Sequence, residues 1–182
     1  MNKLKQTDMR QPIHNIGCAF ASCCSIAQDV VNKILTKVQA ENVWAECIKT
    51  SVLLWDATEM GVIPKQIING DPSDPFSIKD NHTFNSSEEI INMALKELGC
   101  SNRVMEVGIF KNGEFIWYGS GTNPKNQKVM AYMQKIKADN PNGTHFRHVN
   151  NRGEVIYEPW SSPVKSLGII HSIMYAKDKT IT

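Results

Sequence analysis

From Cys18 to about Gln39 the apolar residues recur at spacings of three and four: Phe20, Cys23, Cys24, Ala27, Val30, Val31, Ile34 and Val38. That spacing predicts a helix. Its first half is apolar nearly all round, so it must be central and covered on every side. A second stripe holds Cys18, Ser22, Ser25, Asp29 and Lys33. Cys18 opens the helix directly after Gly17. A helix start leaves backbone N–H groups unpaired and carries a partial positive charge. Both favour a thiolate over a thiol, and the thiolate is the nucleophile. Gly17 would let the chain turn sharply and keep the sulfur open to approach. The competing reading makes Cys18 a small buried apolar residue.

The rest of the chain supplies the cover. A second helix is predicted from about Glu41 to Met60, with Val43, Trp44, Cys47, Val52, Leu53 and Trp55 as its apolar set and Gly61 as its stop. Ile63 to Thr83 is rich in proline, glycine, asparagine and aspartate and reads as a connector. Ser86-Ser87-Glu88-Glu89 opens a further helix, with serine capping and acids in the first turn, that ends at Gly99. Then the pattern changes. Arg103–Phe110 and Glu114–Tyr118 read as strands around a hairpin turn at Lys111-Asn112-Gly113. Pro124 to Asp139 reads as a surface helix. Thr144–Val149, Glu154–Trp160 and Leu167–Tyr175 read as strands. Helices first and strands second predict an α+β fold, a helical lobe of about 12–100 against an antiparallel sheet lobe of about 101–178.

Composition narrows the functions open to such a chain. Its 182 residues suit one domain, 1–182. The formal net charge of +2 comes with no dense basic block, which predicts no nucleic-acid partner and no membrane-surface patch. No apolar run has the length of a transmembrane helix, and Met1–Gln11 lacks the apolar core of a signal peptide. The five cysteines, Cys18, Cys23, Cys24, Cys47 and Cys100, are odd in number and form no CxxC pair. Reduced thiols in a cytoplasm are expected. Adjacent Cys23 and Cys24 suit helix core better than a metal pair or a disulfide. No metal and no cofactor are expected.

A nucleophilic cysteine needs a base, and the base an orienting group. Of the five histidines, His14 lies in the run-up to Cys18, His82 in the connector, and His171 inside an apolar strand without a nearby acid. His145 stands in a predicted hairpin. If Val149 lies opposite Glu154, with a turn at Asn151-Arg152, then His145 lies opposite Glu158 and His148 opposite Val155. Opposed side chains share a face, with Cβ atoms about 5 Å apart. Glu158 could then hold one imidazole nitrogen while the other faces a thiol. A one-residue bulge would break this register. The competing reading of His145 is an exposed strand histidine paired with a neighbouring acid. His145 and His148 are three apart on one strand, so they should point to opposite faces, which disfavours a shared metal.

The three motifs together resemble the papain-like cysteine peptidases, and most nearly the bacterial double-glycine (bacteriocin-processing) peptidase type. In that group a cysteine starts the central helix in a pattern like Cys-Gly-x-Ala-Ser, and Cys18-Ala19-Phe20-Ala21-Ser22 stands in its place. The group's histidine opens a strand, as in Asn142-Gly143-Thr144-His145-Phe146. Its acid ends the next strand before a proline, as in Tyr157-Glu158-Pro159-Trp160. The resemblance implies a papain-like fold and a Cys18–His145–Glu158 triad acting through an acyl thioester. It also implies a peptide or protein substrate, cell-wall peptide included, and a bacterial or phage setting. The family's oxyanion-hole glutamine lies six residues before the cysteine; here that position is Pro12. Gln11 is the candidate donor, with Asn15 and His14 as substitutes, and Glu158 replaces the usual Asp or Asn. The alternatives are a catalytically inactive binding module on the same fold and a thiol transferase or isopeptidase. Pro64–Phe84 and Gly119–Asn126 are the loops expected to line a cleft.

Overall fold

The apolar helix is present but shorter than its spacing predicts. In the computed structural model, which describes residues 3–50, 52–55, 74–76, 82–84, 86–119, 127–139 and 143–178, α1 spans Ile13–Ile16 and α2 spans Cys18–Val31. Asn32 takes the left-handed conformation, φ 51°, and its N–H returns to the carbonyls of Asp29 and Gln28. That is a helix C-terminal cap. Thr36 then caps α3, Lys37–Lys49, in a reciprocal box with Gln39: the Gln39 N–H donates to Thr36 Oγ1 at 3.2 Å. Val38, which continues the predicted stripe, is exposed on α3. The two helices expected at Cys18–Gln39 and Glu41–Met60 are therefore divided at Asn32–Thr36. A cap at each side of the break outweighs the run-on periodicity.

α3 stops at Lys49, and Leu53–Trp55 form strand β1 rather than more helix. β1 pairs antiparallel with β2, His82–Phe84, so His82 stands in a short strand and not in bare connector. Residues 56–60, expected to be helical, lie outside the described residues. α4, Ser87–Glu97, follows its prediction closely, with Ser86 Oγ accepting from the Glu89 N–H and Glu88 and Glu89 in the first turn.

The second half forms one antiparallel sheet of β3 (Val104–Lys111), β4 (Glu114–Trp117), β5 (Val129–Ala138), β6 (Thr144–Val149), β7 (Val155–Tyr157) and β8 (Ser166–Lys177). The strand order is β4-β3-β8-β5-β6-β7. β3 and β4 join at Asn112-Gly113, both at positive φ, as a tight hairpin requires. The predicted surface helix at Pro124–Asp139 is a correction: its described part, 127–139, carries β5, an interior strand between β8 and β6. Met, Ala, Lys and Gln made that stretch look helical. Ala131, Met133, Ile136 and Ala138 are nevertheless buried in the sheet, and the register slip between Lys135 and Ile136 hides their alternation. Tertiary pairing overrides local propensity here.

One hydrophobic core joins helices to sheet. Phe20, Ile26, Trp44, Ile90 and Leu95 from the helices meet Met133, Ile173 and Tyr175 from the strands. Phe20 and Trp44 meet edge to face with centroids 5.2 Å apart. Asn92 docks α4 on β3 through two bonds to the Val104 backbone, at 2.8 and 3.0 Å. α2, the most buried helix, packs on α4 and β6. No helix among the described residues is long and apolar enough to cross a membrane.

Candidate active site

Cys18 is the first residue of α2 and is half-buried. Gly17 places it there for a reason different from the expected sharp turn. Its φ of −82° is ordinary, but a Cβ on Gly17 would sit 2.6 Å from both Cγ2 and the carbonyl oxygen of Ile13. Only a glycine lets α1 close against the start of α2.

His145, on β6, is buried; its Nε2 hydrogen-bonds Glu158, and Cys18 is near enough to raise its pKa. Nε2 donates to Glu158 Oε1, which leaves Nδ1 as the nitrogen for the sulfur. Burial pulls the His145 pKa down. The hydrogen bonds and opposite charges of Cys18 and Glu158 outweigh it and raise the group from 6.5 to about 9. Cys18 at the start of α2, His145 on β6 and Glu158 just past the end of β7 thus form one line.

The line forms without the predicted register. Val149 pairs with Val155, and His148 with Tyr157, across a bulge between His148 and Val149. Each departs further from the expected Val149–Glu154 pairing. The first slip comes from the turn. Asn150 N–H donates to the Glu154 carbonyl at 2.9 Å, Gly153 N–H donates to the Asn150 carbonyl at 3.0 Å, and Gly153 stands at φ 79°. A glycine in that conformation adds a residue to one side of a hairpin. Extending the observed register puts Trp160 opposite His145 and Glu158 diagonal to it. Diagonal neighbours are about 7–8 Å apart, within reach of long side chains. The longer glutamate suits that offset better than aspartate would.

His148 has a different set of partners. Its Nδ1 lies 3.0 Å from Ser25 Oγ and 3.5 Å from Asp29 Oδ2, both on α2. Lys3 Nζ donates to Ser25 Oγ at 2.9 Å and pairs with Asp29 at 2.7 Å. Burial, reinforced by the Lys3 charge and opposed by Asp29, lowers His148 to about 4. It is a neutral structural histidine. His171, half-buried on β8, is also lowered, by burial and by Lys135 and Lys111. His14 contributes its carbonyl to Gln6 Nε2 at 3.0 Å. Among the other thiols, burial raises Cys23 and Cys24 well above the usual range and Cys47 to about 12.

Gln11 is exposed on the turn that leads into α1. The connector 64–84 and the loop 119–126, expected to line a cleft, lie mostly outside the described residues. The sequence reading missed the segment Lys3–Asp8. Gln6 is fully buried there, and its polar surroundings in the sequence offered no periodicity to reveal it. The chain matches no protein-family model, no curated protein and no solved structure at a significant level.

Proposed function

We propose that this chain is a cysteine peptidase or related amide hydrolase of papain-like fold, with Cys18 as nucleophile, His145 as acid–base and Glu158 as the orienting carboxylate. One observation carries the reading: a buried imidazole is held at Nε2 by a carboxylate and has the helix-opening cysteine beside it. A merely structural histidine would not need a half-exposed thiol at that place.

The chemistry follows from the roles. Cys18 Sγ attacks a carbonyl carbon as a thiolate beside imidazolium His145. The oxyanion meets the Cys18 backbone N–H, one of the unpaired donors of the α2 start, with Gln11 as the second donor proposed. Such a donor is worth ~3 kcal/mol. The Nδ1 proton passes to the leaving amine, the C–N bond breaks and a thioester remains. Water then attacks the thioester, giving its proton to His145, and the C–S bond breaks to release the acid. Glu158 holds the tautomer with Nε2–H and stabilises the imidazolium throughout.

The test needs no substrate. Iodoacetamide at near-neutral pH, followed by peptide mapping, should label Cys18 ahead of Cys100 and long before Cys23, Cys24 and Cys47. Glu158→Gln keeps a hydrogen bond but not the charge, and should slow Cys18 labelling at that pH by roughly tenfold, toward the rate of an ordinary thiol. Cys100 reacting first, or an unchanged rate and pH profile in Glu158→Gln, would remove the triad.

A further inference from the structure

Glu158 lies one residue past Tyr157, the last residue of β7, and ahead of Pro159, which has no N–H. Residues 158–165 belong to no strand. A carboxylate that must meet one imidazole nitrogen is thus carried on backbone that the sheet does not hold. Site groups need placing to about half an ångström.

Trp160 N–H donates to Glu158 Oε1 at 3.4 Å, and the backbone beneath that carboxylate is held from the other end of the chain, residue against residue. Tyr157 Oη donates to the Leu4 carbonyl at 2.6 Å. Lys5 Nζ donates to the Glu158 carbonyl at 2.6 Å. Gln6 N–H donates to the Pro159 carbonyl at 2.9 Å. Lys5 also lies over the Tyr157 ring, 4.9 Å from its centroid. The same segment grips the cysteine side. Lys3 holds Ser25 and Asp29 on α2, and Gln6 Nε2 holds the His14 carbonyl at 3.0 Å in the short helix leading to Cys18. Asp8 Oδ2 accepts from the Lys5 N–H at 2.7 Å and closes the turn that presents both residues.

We propose that Lys3–Asp8 is a strap that sets the spacing between the acid and the nucleophile, with Lys5 as the positioning residue for Glu158. The inference rests on the triad reading above. Lys5 touches no reacting atom; it acts by fixing the peptide from which the Glu158 side chain springs.

The experiment compares wild type with Lys5→Met, which keeps an unbranched side chain and removes the ammonium that donates to the Glu158 carbonyl and lies over the Tyr157 ring. The readouts are the pH profile of Cys18 alkylation, the NMR titration of the His145 ring, and thermal melting. Lys5→Met should slow Cys18 alkylation at neutral pH by up to about tenfold, toward the rate of an ordinary thiol. It should also move the His145 titration from about 9 back toward 6.5. Lys5→Arg should restore both. In a Glu158→Ala background Lys5→Met should add nothing, because its effect passes through Glu158. Should Lys5→Met fail to fold, Lys5→Gln, too short to reach the carbonyl, carries the same comparison. If wild-type Cys18 is selectively reactive and the Lys5 variants change only the melting temperature, the strap is structural and this inference falls alone. If wild-type Cys18 shows no selective reactivity, the triad falls and the strap's role with it.

Discussion

His145 and His148 are three residues apart on β6, both buried, and displaced in opposite directions. His145 keeps a proton because Cys18 and Glu158 more than offset its desolvation; His148 is kept neutral by burial and by Lys3. The signs fix the pH response. His145 has a folded pKa raised from 6.5 to about 9, so its contribution to stability is whole below 6.5 and lost as pH rises through 9. His148 has a folded pKa lowered from 6.5 to about 4, so stability is whole above 6.5 and lost as pH falls through 4. Melting temperature against pH should therefore peak near 6.5 and fall on both sides. His148→Gln should flatten the acid limb, and Glu158→Gln the alkaline limb. An acid limb unchanged in His148→Gln would refute the assignment of the neutral histidine. The sequence could single out His145 and Glu158, since each stood in a short recognisable motif. Nothing in it distinguished the environment of His148, which depends on Asp29 and Lys3, remote in the chain.

α2 and β6 meet at two points, and their spacings match. Cys18 and Ser25 are seven helical residues apart, about 10.5 Å along the axis. His145 and His148 are three strand residues apart, about 10 Å. The two elements can thus run side by side with Cys18 at His145 and Ser25 at His148. The pleat alone would send the two imidazoles to opposite faces, yet both meet residues of α2. At this scale the sequence showed where α2 begins, through Gly17-Cys18, but not where it ends, because apolar residues continue past the Asn32 cap. It showed the β6–β7 hairpin but not its register, because the Gly153 turn and the bulge after His148 each slip it. β5 was unreadable for the same reason: interior pairing, not propensity, makes it a strand. The α1–α2 junction offers the sharpest local test. Gly17→Ala would put a Cβ 2.6 Å from the Ile13 carbonyl, and Ile13 is fully buried and cannot retreat. The substitution should cost about 1–3 kcal/mol in denaturant unfolding and slow Cys18 alkylation. Unchanged stability and labelling would mean that the junction is looser than its contacts indicate.

Across the whole molecule, Cys18, the proposed nucleophile, comes from the helical first half, His145 from the sheet and Glu158 from the loop after β7. Neither half contains a site. The α+β order was legible from the switch in periodicity near residue 100. The closure of the two halves by Lys3–Asp8 was not, since a polar segment carries no pattern that marks a contact with residues 157–159. What joins the halves is the shared core of Phe20, Ile26, Trp44, Ile90, Met133 and Tyr175, so the site should exist only while that core does. The buried thiols report on the core directly. Cys23, Cys24 and Cys47 are almost wholly covered and their thiols are pushed up by burial, whereas Cys18 is partly open. In brief iodoacetamide pulses across a urea series, Cys18 should lose its advantage over an ordinary thiol in the same transition that first exposes Cys23, Cys24 and Cys47. The two changes should share one midpoint, as expected for a cooperative unit. If Cys18 lost its advantage at a urea concentration where the three buried thiols stay protected, the halves would separate before the core melts. The site would then be held by the strap and the β7 end alone, and Lys5→Met should lower that first midpoint while leaving the second in place.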